Sequence, residues 1–207
     1  MEHEVSTQPK RRITPEEYLE IERKAETRSE YVDGEMFAMA GATFEHTRIV
    51  KNITVELGLQ LRDSPCEIFP LDLRTKVKPT GLYTYPDIAG ICGEAQIEDF
   101  DNLVNPILLI EVLSASTESY DRGKKFAHYR TLTSLKEYVL VSQYEYRIEK
   151  FARNEEGVWI YTESADITGS IELSSIACQL SLARVYEKVD FEAAKRRRLA
   201  RSKESPA

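Results

Sequence analysis

A single glutamate, Glu111, lies in the middle of the apolar run formed by residues 107–113. The run is short, rich in leucine and β-branched residues, and bounded by a proline and a serine, which is typical of a strand covered on both faces. On such a strand Glu111 points to the same side as Leu109 and Leu113. An unpaired buried carboxylate is costly, so Glu111 must be neutralised, ion-paired or bound to a metal.

Two further groups favour metal binding among these three possibilities for Glu111. Asp87 lies in an upstream strand-like segment, and lysines follow in residues 121–125. Hydrolysis of a phosphodiester needs an activated water and a cation that neutralises developing charge, and Mg²⁺ can do both with only one or two protein carboxylates. Asp87 and Glu111 on neighbouring strands would supply that pair, and the backbone carbonyl of Val112 would be a third ligand. A nearby lysine would orient or deprotonate the water.

The charge of the chain argues against tight non-specific DNA binding. The 207 residues carry a net charge of −7, and residues 195–207 alone contain six basic residues and one acidic residue, which leaves −12 for the rest. Phosphate contacts need lysine and arginine, which this acidic body does not favour. The basic tail is either a source of electrostatic attraction or a solvated helix end.

Cysteine usage and hydropathy predict a cytoplasmic protein. Cys66, Cys92 and Cys178 are scattered without metal-ligand spacing, which predicts reduced thiols. No segment resembles a signal peptide, and no apolar run reaches the roughly 18 residues of a membrane span. We therefore expect no membrane partner.

The order of predicted elements indicates an α/β (α+β) fold, with a mixed sheet flanked by helices and an N-terminal helix and hairpin. Thr14 and Glu17 predict a capping box that opens a helix to about residue 27, and Asp33-Gly34 predicts the hairpin turn. Helices are also predicted over about 45–62 and 120–132, and from 182, capped by Ser181, into the tail. Strands are predicted over 71–78, 85–92, 107–113, 137–143, 147–153 and 158–163, with a loop over 94–105. We expect residues 1–13 to be disordered, 14–194 to form one domain, and 195–207 to form a basic tail.

Several short motifs occur in an order and spacing that together are specific. They are residues 30–35, His46 with Asn52, residues 85–87, 109–114, 116–117 and 120–126, Tyr129, and residues 137–143. On these motifs the chain resembles, from about Thr14 to Tyr186, the Uma-two family of endonucleases within the PD-(D/E)xK nuclease superfamily. The resemblance implies a restriction-endonuclease-like core, DNA as the partner, and a homodimer.

The resemblance also implies an active site in which Asp87 and Glu111 bind Mg²⁺, with Mn²⁺ as a substitute. The superfamily's lysine belongs two residues after the acid, where this chain has a leucine, so a lysine on the next helix is the expected replacement. Lys125 matches it and shares a helix face with Tyr129. Lys124 and Lys76 are its rivals.

Other residues have both a catalytic and a structural interpretation. His46 and Glu30 are candidates for the active site, but a helix-edge histidine and a junction-capping glutamate are equally ordinary. Tyr129 and Gln143 would support the site or simply pack, and Asp121 is expected to cap a helix. In a purely structural interpretation, Glu111 would instead pair with Arg74 or Lys76.

Two functions therefore remain open. The first is a Mg²⁺-dependent DNA endonuclease in which Asp87 and Glu111 hold the metal, Lys125 activates or positions water, and the superfamily implies a 5′-phosphate product. The second is a catalytically inactive nucleic-acid-binding or regulatory module that keeps the nuclease fold. The acidic body favours the second function, and the intact set of Asp, Glu and Lys favours the first.

Overall fold

The computed structural model describes residues 11–204, which form two six-stranded sheets, one two-stranded sheet and the helices around them. The helices are α1 (Pro15–Glu22), α2 (Phe44–Gln60), α3 (Glu118–Tyr120), α4 (Phe126–Tyr129), α5 (Leu182–Val185) and α6 (Phe191–Glu204). A π-helical turn (Asp121–Lys125) joins α3 to α4. The strands are β1 (Ser29–Val32), β2 (Glu35–Ala38), β3 (Cys66–Pro70), β4 (Arg74–Val77), β5 (Leu82–Thr84), β6 (Ile88–Cys92), β7 (Ile97–Glu98), β8 (Asn102–Leu103), β9 (Leu108–Leu113), β10 (Glu137–Ser142), β11 (Ile148–Arg153), β12 (Trp159–Ser164), β13 (Ser170–Leu173) and β14 (Cys178–Ser181).

The larger core is built on the sheet with the order β12-β11-β10-β9-β6-β3, in which β9 and β10 are parallel and the other pairs are antiparallel. Every residue of β9 is buried, as the apolar run predicts. Ile110 packs on the face covered by α2, and Leu109 and Leu113 pack on the opposite face with Tyr129 of α4. Glu111, which alternates with Ile110, therefore points toward the α3–α4 side.

The second sheet has the order β2-β1-β5-β4-β8-β7 and brings the N-terminal hairpin to the core. The predicted capping box is present: the Thr14 hydroxyl accepts from the Glu17 amide, and Glu17 accepts from the Thr14 amide. Asp33 and Gly34 have φ values of 52° and 81°, the left-handed pair that a tight hairpin turn requires. The predicted fold class is confirmed.

Some predicted boundaries are wrong. The first helix ends at Glu22 rather than near residue 27, and the predicted loop over 94–105 contains β7 and β8. The last helix is broken into α5 and α6, with Lys188 in a left-handed conformation (φ 61°) between them. Ser181 stands at the start of α5 but makes no capping bond with its side chain. Of the predicted disordered segment and basic tail, residues 1–10 and 205–207 lie outside the described part.

The prediction of three reduced thiols is also wrong. Cys66 and Cys92 face each other on the antiparallel strands β3 and β6 and form a disulfide, whereas Cys178 is free and buried. The sequence did not reveal this pairing because β3 was not predicted. Among residues 11–204, no helix is long and apolar enough to cross a membrane.

Helix α2 offers a matched test of the core. Leu57 is fully buried, and Leu59 on the same helix is 58% exposed. We expect Leu57→Ala to lower the free energy of unfolding by about 2–5 kcal/mol, and Leu59→Ala to change it by less than about 0.5 kcal/mol. Urea denaturation of both variants measures this, and similar losses would contradict the assigned helix orientation.

Candidate active site

Asp87 and Glu111 approach each other because β6 and β9 are antiparallel neighbours. Ile88 pairs with Ile110, so one further step in the same register places Asp87 opposite Glu111. The backbone amide of Val112 donates to Asp87 Oδ2 at 2.7 Å, which fixes the aspartate just before the first residue of β6. The two predicted carboxylates therefore face each other across neighbouring interior strands of this sheet.

His46 contacts this pair from the first turn of α2. Its Nε2 lies 3.1 Å from Asp87 Oδ2, on the same oxygen that accepts from the backbone. The hydroxyl of Thr43 caps α2 by accepting from the His46 amide, and it donates to Gln143 Oε1 at 2.6 Å. Gln143 also donates to the Leu113 carbonyl at 2.7 Å. These bonds tie the start of α2 to the ends of β9 and β10.

Lys125 joins carboxylates from three separate segments. Its Nζ lies 2.9 Å from Glu111 Oε1, 3.0 Å from Glu30 Oε1 and 3.6 Å from Asp121 Oδ1. All four residues are buried, with Lys125 only 5% exposed. Within this cluster three carboxylates meet one ammonium, and Asp87 adds another carboxylate at its edge.

Hydroxyl groups orient two of these carboxylates. Tyr129 donates to Glu111 Oε1 at 2.8 Å, and Thr84 on β5 donates to Glu30 Oε1. Tyr129 and Thr84 are both fully buried. Lys125 and Tyr129 thus both reach Glu111, as their spacing on one helix face predicted.

The cluster shifts the pKa values of its members. Burial raises the pKa of Glu111 to about 8; Lys125 opposes this shift, while Asp121 and Asp87 add to it. Burial likewise raises the pKa of Asp121. Burial alone would lower the pKa of Lys125, but Glu111, Tyr129 and Glu30 together hold it well above its usual range. Lys125 is therefore an ammonium at neutral pH, beside an excess of acidic groups.

This arrangement fits a divalent cation held by two carboxylates. Within residues 11–204, no three Asp, Glu, His or Cys side chains converge to form a complete metal cage. Mg²⁺ needs no such cage, because it usually keeps several waters and takes one or two carboxylates. Asp87 and Glu111 each make their hydrogen bonds through one oxygen, Oδ2 and Oε1, and the excess of acidic groups favours a cation beside the other two oxygens.

The other basic residues that the sequence analysis considered for the site lie elsewhere in the fold. Lys124 is exposed, and Lys76 pairs with Glu98 and Asp99 at 3.2 and 3.1 Å. Arg74 pairs with Asp101 at 2.6 Å. The structural alternative in which Arg74 or Lys76 neutralises Glu111 is therefore wrong, because Lys125 takes that place.

The sequence analysis missed or misread three residues of this site. Asp121 does not cap the helix that follows it; it is the first residue of the π-helical turn, and its carboxylate lies 3.6 Å from the ammonium of Lys125, its i+4 neighbour. Thr84 and Thr43 were not predicted to contribute. Their only signal in the sequence was proximity, since Thr84 lies three residues before Asp87 and Thr43 lies three before His46.

With this geometry established, comparison with known proteins identifies the family. Residues 15–184 match the model of the Uma2 family, described as "putative restriction endonuclease". The chain belongs to the Uma2 family, which confirms the resemblance to the Uma-two endonucleases.

Relatives and a solved structure agree with this assignment. Two proteins of Synechocystis sp., sll1609 and slr1290, are 36% and 32% identical to the chain over 78% and 87% of its length and 93% and 94% of theirs. Both are named as uncharacterized. A crystal structure from Anabaena variabilis, described as "a putative nuclease belonging to DUF820", matches with a TM-score of 0.69 and 18% identity, over 84% of this chain and 97% of that one. At that identity the likeness shows the fold, and the family and fold together support a nuclease function.

Adjacent lysines allow a matched test of the buried cluster. We expect Lys125→Met to lower the free energy of unfolding by about 3–5 kcal/mol, because it strips buried carboxylates of their counter-charge. Lys124→Met should change it by less than about 0.5 kcal/mol.

The pH dependence provides a second readout from the same variants. Without the lysine, the buried carboxylates have raised pKa values, so the variant loses stability as pH rises and the defect should shrink at pH 5. Denaturation at pH 5 and pH 8 measures both effects. Equal losses in the two variants would contradict the buried role of Lys125.

Proposed function

We propose that this protein is a metal-dependent endonuclease that hydrolyses DNA phosphodiester bonds. The observation that carries the proposal is the fixed position of Asp87 opposite Glu111, with the ammonium of Lys125 at 2.9 Å from Glu111. A purely structural ion pair would need Glu111 and Lys125 alone. Such a pair would not explain why a backbone amide and His46 hold Asp87 opposite Glu111.

In this proposal Asp87 and Glu111 hold Mg²⁺, or Mn²⁺ in its place. When bound, the metal would neutralise charge on the scissile phosphate and lower the pKa of a water. His46 orients Asp87, and Tyr129 orients Glu111. The Val112 carbonyl remains a candidate third ligand, while its amide holds Asp87.

Lys125 acts as a cationic hydrogen-bond donor rather than as a general base. Its raised pKa keeps it protonated at neutral pH, so it has no free electron pair to accept a proton. Two of its three donor hydrogens are directed to Glu111 and Glu30. In this proposal the third positions water, and the positive charge stabilises negative charge that develops on the phosphate. Glu30 and Asp121 hold the ammonium in place.

One observation favours the alternative, a catalytically inactive nucleic-acid-binding or regulatory module. Lys125 already neutralises part of the buried acidic cluster, so the fold does not depend on a bound metal. A homodimer and a cytoplasmic location remain predictions alongside either function, and a 5′-phosphate product remains a prediction of the nuclease alone.

Cleavage of plasmid DNA distinguishes the two functions. We expect the purified chain to nick or linearise supercoiled plasmid with Mg²⁺ or Mn²⁺, to stop in EDTA, and to leave 5′-phosphate ends. Asp87→Asn should lower the rate by about a hundred-fold or more, on the scale of removing one electrostatic interaction with the transition state. Asp72→Asn is the control, because Asp72 is exposed and pairs with Arg28. Equal rates for the two variants, or metal-independent cleavage, would overturn the proposed site.

A further inference from the structure

Helix α6 differs in charge from the rest of the protein. Residues 191–204 contain six lysines and arginines and two glutamates, a net charge of +4 in a chain of −7. The sequence left open whether this segment attracts a polyanion or is a solvated helix end. The contacts that α6 makes with the rest of the fold help to distinguish these two interpretations.

The beginning of α6 is anchored beside the candidate active site. The ring of Phe191 packs at 5.6 Å from that of Tyr186 and 4.9 Å from that of Tyr146. Tyr186 in turn donates to the carbonyl of Ser142 at 3.0 Å. Ser142 is the last residue of β10 and precedes Gln143, which ties the start of α2 to β9.

Further along, α6 contacts the turn of α2 that carries His46. The guanidinium of Arg197 pairs with Glu45, which is buried, and lies 5.7 Å from the centroid of the Phe44 ring. Arg48 lies 4.4 Å from the centroid of the same ring. Glu45 directly precedes His46, so the basic helix packs against the helical turn from which His46 contacts Asp87. A helix end that was merely solvated would not need these contacts.

We propose that α6, together with Arg48, forms the surface that binds the phosphate backbone of the DNA substrate, an inference that rests on the proposed nuclease function. Lys195 and Arg196 are exposed on α6, and the side chain of Arg197 is 54% exposed. A polyanion approaching Asp87 and Glu111 meets an acidic body that repels it. A basic helix fixed next to that site supplies the opposing attraction, because lysine and arginine contacts with phosphates dominate affinity for DNA.

The test compares two double variants of the full chain. Lys195→Gln with Arg196→Gln removes two exposed charges from α6. Arg62→Gln with Lys136→Gln removes the same charge elsewhere, and both residues are exposed. Arg62 follows the C-terminal end of α2, whose last residue lies about 21 Å from His46 along the helix axis. Lys136 precedes β10, at the opposite end of that strand from Ser142. Binding of a labelled DNA duplex is followed by fluorescence anisotropy over a range of salt concentrations, in EDTA so that no cleavage occurs. Thermal unfolding checks that both variants are folded.

We expect the α6 variant to bind more weakly at low salt and to lower the slope of log K against log salt by about two, close to one for each phosphate interaction removed. The control variant should keep the native slope. Equal slopes in both variants would overturn the α6 surface, whether or not the protein cleaves DNA. Binding to phosphatidylserine vesicles but not to DNA would also overturn it, because the surface would then serve a membrane.

The two proposals fail separately. Metal-dependent cleavage with no dependence of binding on Lys195 and Arg196 would leave the nuclease standing and remove the α6 surface. Loss of binding in the α6 variant, with no cleavage under any metal, would leave the surface as that of a DNA-binding module and remove the nuclease. No binding of DNA by the native chain would overturn the surface directly.

Discussion

The buried ammonium of Lys125 is the interaction on which the candidate site depends. Glu30 comes from the N-terminal hairpin in one sheet, Glu111 from the central strand of the other sheet, and Asp121 from the π-helical turn between α3 and α4. Without a counter-charge, burying these carboxylates together would cost about 3–5 kcal/mol, a large fraction of the stability of a typical domain. Lys125 therefore both joins the two sheets and permits acidic groups to gather where chemistry requires them.

The same constraint explains how stability and function share one cluster. Burial raises the pKa of Glu111 to about 8 although the charge of Lys125 opposes the shift, and Asp87 lies opposite Glu111 just before the neighbouring strand β6. A divalent cation between Asp87 and Glu111 would offset the remaining excess of acidic groups. The π-helical turn that places Lys125 and Asp121 on the same side is a form of helix often found at functional sites. In the proposed function, the site would therefore take a cation without depending on one for folding.

The sequence predicted those parts of the site that are local in the chain. Glu111 was identifiable because a carboxylate interrupted an apolar strand, and Lys125 with Tyr129 because i, i+4 spacing places them on one helix face. Pairings between distant segments were beyond local patterns. The role of Asp121 required the π-helical geometry, the Cys66–Cys92 disulfide required the unpredicted strand β3, and the break before α6 depended on a left-handed residue that is not glycine. Asp87 was a candidate from its own segment and from the family resemblance, and His46 was a candidate from the resemblance alone; the fold shows the two side chains in contact.

The most direct test of the central claim is Mn²⁺ titration by calorimetry on the native chain, Asp87→Asn, Glu111→Gln and the exposed control Asp72→Asn. The metal site predicts saturable binding near one ion per chain in the native protein and the control, and loss of that binding in the two site variants while both remain folded. Equal binding by all four proteins, or no binding by the native chain with a DNA duplex present, would contradict a metal held between Asp87 and Glu111.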